Sequence, residues 1–216
     1  MTIASEEPQK FIFKTTCKAS SGIVAAVTSF LSERGCYISE LSQFDDQDSQ
    51  HFFMRAVGYI ESGENTLSDL KGEFPEVAEK FAMDWSLEAA STPCKVLIMV
   101  SKFDHCLDDL LYRLRKGEIN MEITAIVSNH KDLRAMAERE GIRFVHLPVT
   151  KDNKQAQEDA LMTIVEETGS ELVVLARYMQ ILSDSLCRKL SGRAINIHHS
   201  FLPGFKGAKP YHQAHT

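Results

Sequence analysis

Two polar residues near the end of the 216-residue chain, Asn196 and His198, have types and a spacing that suit chemistry on a carbonyl group. Residues i and i+2 of a strand point to the same face, so these side chains share a face if residues 194–197 form a strand. An amide can donate a hydrogen bond to a developing oxyanion, and an imidazole can move protons near neutral pH. The spacing alone favours the plainer interpretation that both residues only satisfy hydrogen bonds at a strand end.

The histidines of the C-terminal tail suggest a competing hypothesis, a metal site. Four of the eight histidines lie in the last nineteen residues: His198, His199, His212 and His215. Adjacent histidines diverge on a strand, whereas His212 and His215 would share one side of a helical turn. No Cys, Asp or Glu in this tail completes a zinc pattern, so we expect no metal site.

A loop that follows a predicted strand at residues 171–175 is a candidate for binding a flat heterocycle. It consists of Arg177, Tyr178, Met179, Gln180, Ile181 and Leu182. Backbone groups of such a loop can bond to ring nitrogens, while apolar side chains cover the ring faces. The alternative is an ordinary connection that packs Met179 and Leu182 into the core, and composition alone favours it.

The first loop of the second half of the chain is informative for what it lacks. Residues 101–106 contain no glycine, so they do not form the open amide cradle with which a βα turn binds phosphate. This feature argues against a Rossmann dehydrogenase. Asp104 is instead expected to cap the helix that follows.

Alternating strands and helices must position these residues. An uninterrupted apolar run at residues 96–100 predicts a strand that is covered on both faces. Further strands are predicted at residues 122–127, 143–147, 171–175 and 194–197, with helices at residues 105–115, 131–140, 153–167 and 183–190. We therefore expect an α/β fold with a mostly parallel, doubly wound sheet, in which ligands bind at the carboxyl ends of the strands.

The first part of the chain has a different pattern. Strands are predicted at residues 11–17, 36–44, 51–60 and 84–90, with helices at residues 23–34 and 67–81. The order βαββαβ is the ferredoxin-like arrangement. Residues 91–93, Ser-Thr-Pro, form the predicted linker between an N-terminal domain at residues 9–90 and a second domain at residues 94–216.

Composition narrows the class of protein. The net charge of −6 argues against nucleic acid or an anionic membrane surface as a partner, and no apolar run approaches the ~20 residues of a membrane span. The polar, acidic start of the chain is unlike a signal peptide. Five scattered cysteines without a C-x-x-C pair suit a reducing cytoplasm.

The residues from Asn196 to Pro203, with the sequence NIHHSFLP, resemble the N-I-H-x-S-x-L-P signature of folate-dependent formyltransferases and their hydrolase relatives. Residues 207–214 (GAKPYHQA), 129–130 (NH) and 175–179 (LARYM) are similar to the formyltetrahydrofolate deformylase branch. The N-terminal βαββαβ unit is similar to an ACT domain, which these deformylases carry and glycinamide ribonucleotide formyltransferases lack. The resemblance thus covers nearly the whole chain.

The resemblance implies the hydrolysis of 10-formyltetrahydrofolate to formate and tetrahydrofolate, which supplies formate for purine synthesis and balances the one-carbon folate pools. It implies that Asn196 holds the formyl oxygen, that His198 transfers protons and that residues 177–182 receive the pterin ring. The glycine-free loop at residues 101–106 favours water as the acceptor. No cofactor is implied, because the folate is the substrate.

A third catalytic residue, an aspartate, would follow the signature in a segment beyond Thr216. The second domain is therefore expected to be incomplete at its C-terminus. A protein that ended at Thr216 is expected to be nearly inactive and poorly stable, because an imidazole that lacks its carboxylate partner loses orientation and basicity.

Two other classes of function stay open from the sequence: a formyltransferase to an amine or nucleotide sugar, and a non-catalytic regulatory protein that binds amino acids or folates. The ACT-like domain implies an amino-acid effector, but the loop at residues 17–22 lacks the acidic residue that usually precedes its glycine. We expect this domain to join subunits of a homo-oligomer through sheet edges or helices.

Overall fold

The computed structural model describes residues 8–61, 65–150 and 152–196 of the chain. The chain divides into two compact units, Met1–Thr92 and Pro93–Thr216. The division falls within the predicted Ser-Thr-Pro linker. Each unit has its own sheet and its own hydrophobic core.

The first unit has the predicted βαββαβ order, with its second helix in two pieces. Its elements are β1 (Lys10–Lys18), α1 (Ile23–Glu33), β2 (Cys36–Asp46), β3 (His51–Ile60), α2 (Leu67–Glu73), α3 (Pro75–Phe81) and β4 (Asp84–Ala89). The sheet order is β2-β3-β1-β4, and all neighbouring strands are antiparallel. Pro75 begins α3 because its ring suits the first position of a helix but not the interior.

One face of this sheet forms the core of the first unit. Phe11, Phe13 and Thr15 are buried, as the alternating pattern of the first strand predicted. Phe74, between α2 and α3, is buried against them, with its ring centroid 4.9 Å from that of Phe13 and 4.7 Å from that of Trp85. Edge-to-face contacts of this kind add to the stabilisation from apolar burial.

The second unit consists of alternating strands and helices. Its elements are β5 (Cys94–Val100), α4 (His105–Arg115), β6 (Met121–Ser128), α5 (Arg134–Arg139), β7 (Phe144–His146), α6 (Lys154–Glu167), β8 (Leu172–Leu175), α7 (Asp184–Lys189) and β9 (Ala194–Asn196). The five strands are parallel, in the order β7-β6-β5-β8-β9. The prediction of an α/β fold with a doubly wound parallel sheet is confirmed.

The central strand β5 separates two hydrophobic cores. Val96, Ile98 and Val100 pack into one core, and Leu97 and Met99 pack into the other. Because both faces are covered, the strand is an unbroken apolar run rather than an alternating one. This burial fixes the position of β5 and therefore the position of the loop that follows it.

Some predicted bounds differ from those observed. Helix α5 begins at Arg134, three residues later than predicted, and strand β7 is reduced to Phe144–His146. A turn precedes α5 in place of the predicted first helical residues: the Arg134 N–H donates to the Lys131 carbonyl at 3.1 Å, and Leu133 has φ and ψ of −94° and 6°. Among the described residues, no helix combines the length and apolar character needed to cross a membrane.

Candidate active site

The carboxyl ends of the parallel strands meet at one edge of the second unit. Strand β5 lies between β6 and β8, and β8 also pairs with β9. In this register Met99 lies opposite Leu175, and Leu175 lies opposite Asn196. The chain reverses its winding direction between β5 and β8, which is where open α/β sheets bind ligands. The loops after these two strands therefore define the candidate site.

The loop after β8 begins with a tight, strained turn. The Ala176 N–H donates to the Met99 carbonyl at 2.8 Å, and the Arg177 N–H donates to the Leu175 carbonyl at 3.1 Å. Arg177 has a φ of 61°, in the left-handed region that residues with a Cβ seldom occupy. Such strain persists only where the surrounding structure imposes it, and it occurs preferentially at functional sites.

The Arg177 side chain lies over the first loop. Its guanidinium carbon is 5.0 Å from the ring centroid of Phe103, which is more than half exposed. Its Nε atom is buried and has no hydrogen-bond partner among the described residues. A buried N–H without a partner costs free energy, so this group is available to a ligand that brings an acceptor.

The Tyr178 side chain points away from the candidate site and into the core. It is 7% exposed, and its hydroxyl accepts a hydrogen bond from the Gln157 side-chain amide at 3.3 Å. Burial raises the pKa of Tyr178 to about 12, while the Gln157 hydrogen bond lowers it and the neighbouring Glu158 carboxylate raises it. The phenol is therefore neutral near pH 7 and anchors the loop.

The other side chains of the loop differ in exposure, since some face solvent and one packs into the core. Met179 and Ile181 are 52% and 74% exposed, whereas Leu182 packs against a hydrophobic core. The alternative of an ordinary core connection is thus confirmed for Leu182 and wrong for Met179. Gln180 is half-buried. The loop thus presents two apolar side chains, Met179 and Ile181, to solvent.

Buried polar residues of helix α6 hold this loop by hydrogen bonds. The sequence analysis did not identify these residues. The Glu158 carboxylate, 4% exposed, accepts hydrogen bonds from the Ser183 N–H at 2.8 Å and from the Ser183 hydroxyl. Ser183 in turn caps α7 by accepting from the Leu186 N–H at 3.1 Å. The sequence contained one signal, since Gln157 and Glu158 each lie four residues before a buried apolar residue of α6.

The first loop differs from its prediction in one respect. Asp104 stands at the N-terminal cap position of α4, but its side chain forms no capping hydrogen bond, so that prediction was wrong. The reason is conformational, because Asp104 has helical φ and ψ of −92° and −28° rather than the extended values that such caps adopt.

Asn196 is the last described residue and lies at the end of β9, where it is exposed. Its predicted partner His198, and likewise His199, His212 and His215, lie outside the described residues. Within residues 8–61, 65–150 and 152–196, no three His, Cys, Asp or Glu side chains are grouped so that they could hold a metal ion.

Comparison with known proteins identifies the family. Residues 94–216 match the formyl transferase family model. A formyltetrahydrofolate deformylase from a Corynebacterium species is 50% identical over 208 residues, which cover 96% of this chain and 73% of the relative. The chain belongs to the formyltetrahydrofolate deformylases. This membership confirms the resemblance to the formyltransferases and their hydrolase relatives that the NIHHSFLP segment indicated, and the deformylase branch that residues 207–214, 129–130 and 175–179 indicated.

Further deformylases agree in sequence and in structure. The formyltetrahydrofolate deformylase of Mycobacterium bovis is 40% identical over 200 residues, which cover 92% of this chain and 64% of the relative. A crystal structure of the Burkholderia mallei deformylase has a TM-score of 0.84 and 48% identity, and the match covers 96% of this chain and 73% of that one. The chain thus spans about two thirds to three quarters of the length of these deformylases. The matches extend over both units of the fold, because each covers more than nine tenths of this chain.

Proposed function

We propose that this protein hydrolyses 10-formyltetrahydrofolate to formate and tetrahydrofolate, with water as the acceptor. The observation that carries the proposal is the meeting of the loops after β5 and β8 at the point where the strand order reverses, in a chain of the deformylase family. The loop after β5, at residues 101–106, contains no glycine and carries the exposed Phe103 where a phosphate-binding turn would have an open amide cradle. The sequence of that loop therefore offers no phosphate-binding turn for a phosphorylated acceptor.

The folate would lie against the loop at residues 177–182. Its pterin ring offers nitrogens and an oxygen to the backbone groups of the loop, while Met179 and Ile181 are exposed and can cover a ring face. The role of Tyr178 in this arrangement is to hold the loop through its buried phenol, since its side chain faces the core. The Arg177 Nε–H is a further donor for an acceptor on the substrate.

The chemistry would take place at the end of β9. Water attacks the formyl carbon, and the carbonyl oxygen becomes an oxyanion that accepts a hydrogen bond from the Asn196 amide. His198 takes the proton from the attacking water and returns it to N10 as the C–N bond breaks, which releases formate and tetrahydrofolate. An aspartate that follows the signature would orient the imidazole. An oxyanion donor of this kind is worth ~3 kcal/mol of transition-state stabilisation.

Neither water addition nor C–N cleavage changes the oxidation state of the formyl carbon, so the proposed reaction needs no redox cofactor. The product formate would serve purine synthesis. Cys17, Cys36, Cys106 and Cys187 are free thiols, which suits the reducing cytoplasm. The first unit, an ACT-like domain by resemblance, would join subunits into a homo-oligomer and would bind an amino acid as effector.

Formate release in the absence of any amine tests the proposal. The native protein is incubated with 10-formyltetrahydrofolate in an amine-free buffer, and formate and tetrahydrofolate are measured separately. Equal amounts of both products are expected. If the formyl group leaves the folate only when an amine or nucleotide sugar is added, and appears on that acceptor, the protein is a transferase and the proposal is wrong.

A further inference from the structure

Three strand ends of the parallel sheet are joined by a single hydroxyl group, that of Ser101. The residue follows β5 directly and is 3% exposed. Its Oγ donates a hydrogen bond to Asn129 Oδ1, after β6, at 2.8 Å. The same Oγ accepts a hydrogen bond from the Met179 N–H, in the loop after β8, at 3.0 Å.

The Asn129 contact gives the hydroxyl a direction. A serine has one proton and two lone pairs, so a proton that is given to Asn129 leaves a lone pair for the Met179 N–H. Asn129 therefore orients Ser101, and Ser101 holds the backbone of the candidate substrate loop. The partners are 28 and 78 residues away in the sequence, which ties loops from distant parts of the unit together.

The held position lies directly after the strained turn. Arg177, with its φ of 61°, is two residues before Met179. A strained residue relaxes unless contacts on both sides prevent it. The Ala176 N–H bond to Met99 supplies the contact before the turn, and the Ser101 hydroxyl supplies a contact after it. Beyond this contact Met179 is exposed, so the hydroxyl acts on a part of the loop that faces solvent.

We propose that Ser101 is a positioning residue for the folate, which fixes the backbone of the loop at residues 177–182 in the geometry that binds the pterin ring. The inference rests on the proposed function. Loss of the hydroxyl leaves the Met179 N–H without its acceptor and frees the loop to move, so binding weakens. Asn196 is held on β9 by its pairing with β8 and not by the Ser101 hydroxyl, so the chemical step at Asn196 is changed far less than binding.

A matched pair of buried serines tests this inference in the native protein. Ser128 is also fully buried at the same edge. Its hydroxyl accepts from the His130 N–H at 3.1 Å and donates to the backbone carbonyl of Ser101 at 3.4 Å, whereas the Met179 N–H donates to the Ser101 hydroxyl. This control therefore separates the Ser101 hydroxyl from the backbone position of Ser101. We expect Ser101→Ala to weaken tetrahydrofolate binding about tenfold, a change of about 1.4 kcal/mol, while kcat stays within about threefold. Ser128→Ala should change binding by less than about twofold.

Amide hydrogen exchange supplies a local measurement that does not depend on turnover. The peptide that contains residues 177–182 should exchange faster in Ser101→Ala and at the unaltered rate in Ser128→Ala. Ser101→Cys, which keeps a small side chain with a weaker hydrogen-bonding group, should lie between the serine and alanine forms and serves if the alanine variant does not fold.

Unchanged tetrahydrofolate affinity in Ser101→Ala would overturn the inference, and so would an equal loss of affinity in Ser128→Ala. Failure of the proposed function gives a different result. In that case the unaltered protein neither binds tetrahydrofolate nor releases formate, and the inference about Ser101 is then wrong as well.

Discussion

The Tyr178 hydroxyl and the Gln157 side-chain amide are joined by a buried hydrogen bond of 3.3 Å between the loop after β8 and helix α6. The loop that carries the exposed Met179 and Ile181 is thus attached to the core through its most buried side chain. Side chains that are exposed to solvent and the side chain that anchors the loop in the core thus lie within the same few residues. This division allows separate experiments on loop stability and on ligand binding.

Replacement of Tyr178 by phenylalanine should reveal the buried phenol in the pH dependence of stability. At pH 7, the variant loses about 1 kcal/mol of unfolding free energy, because Gln157 keeps its donor without an acceptor. The folded pKa of about 12 lies above the ordinary value of 10.0, so the unfolded state releases this proton first. The phenol's contribution is therefore complete below pH 10 and is lost as the pH rises towards 12.

Urea unfolding of both forms between pH 7 and pH 11.5 measures this effect. The stability of the unaltered protein should fall more steeply above pH 10 than that of Tyr178→Phe, so that the difference between them shrinks. A constant difference over the whole range would mean that the phenol is not buried in the folded protein.

The Glu158 carboxylate should be worth more to stability than an exposed carboxylate on the same helix. Glu158→Ala leaves the Ser183 N–H and hydroxyl without their acceptor and should cost about 2–3 kcal/mol. Glu158→Gln keeps one acceptor and should cost about 1 kcal/mol. Glu166→Ala, on the exposed face of α6, is the control and should change stability by less than about 0.5 kcal/mol. Similar unfolding midpoints for Glu158→Ala and Glu166→Ala would contradict the anchoring role.

Asn196→Ala should lower kcat by about a hundredfold, with little loss of stability, since an oxyanion donor acts mainly in the transition state. His198→Ala should have an effect of the same order. Ile195→Ala is the control, because Ile195 precedes Asn196 on β9 and is 52% exposed. Steady-state kinetics and thermal unfolding of the three variants make the comparison. Near-normal turnover in Asn196→Ala would remove that residue from the mechanism.

Two helix ends of the first unit offer a matched test of backbone conformation. Gly35 follows α1 with a φ of 72°, and Ala82 ends α3 with a φ of 49°. Ala82→Gly should stabilise the protein by about 0.5–1 kcal/mol, since glycine tolerates this conformation. Gly35→Ala should destabilise it by about 1 kcal/mol, although a Cβ there meets no atom within 4 Å. Changes of the same sign in both variants, measured by urea unfolding, would refute this explanation.

The sequence predicted the elements well where burial produced a strong pattern. The run from Val96 to Val100 predicted a strand because both of its faces are covered, and the helix predicted at residues 105–115 has those bounds in the structure. The start of α5 was missed because a turn from Lys131 to Arg134 precedes the helix, and the sequence pattern did not tell this turn from a first helical turn. Patterns of buried side chains thus located the helices and strands. The exact ends of some elements depend on tertiary packing, which the sequence pattern does not show.

The candidate site was predicted only in part. The loop at residues 177–182 was recognised by its place after a strand, but a loop has no periodicity that tells an inward Tyr178 from an outward Met179. The contacts of Ser101 with Asn129 and with Met179 span 28 and 78 residues, and no local pattern reports such distances. The catalytic roles of Asn196 and His198 stay predictions.

The strand order of the second unit has a consequence for biosynthesis. Strand β5 is made early and pairs at once with its near neighbour β6, but its other neighbour, β8, emerges from the ribosome only after two further strands and three helices. Until then the most apolar strand of the unit has one open side, and an open apolar strand edge invites aggregation. The pairings of the first unit, in contrast, are all complete by Ala89. A growing chain can therefore complete the sheet of its first unit while the second unit still has an open apolar edge.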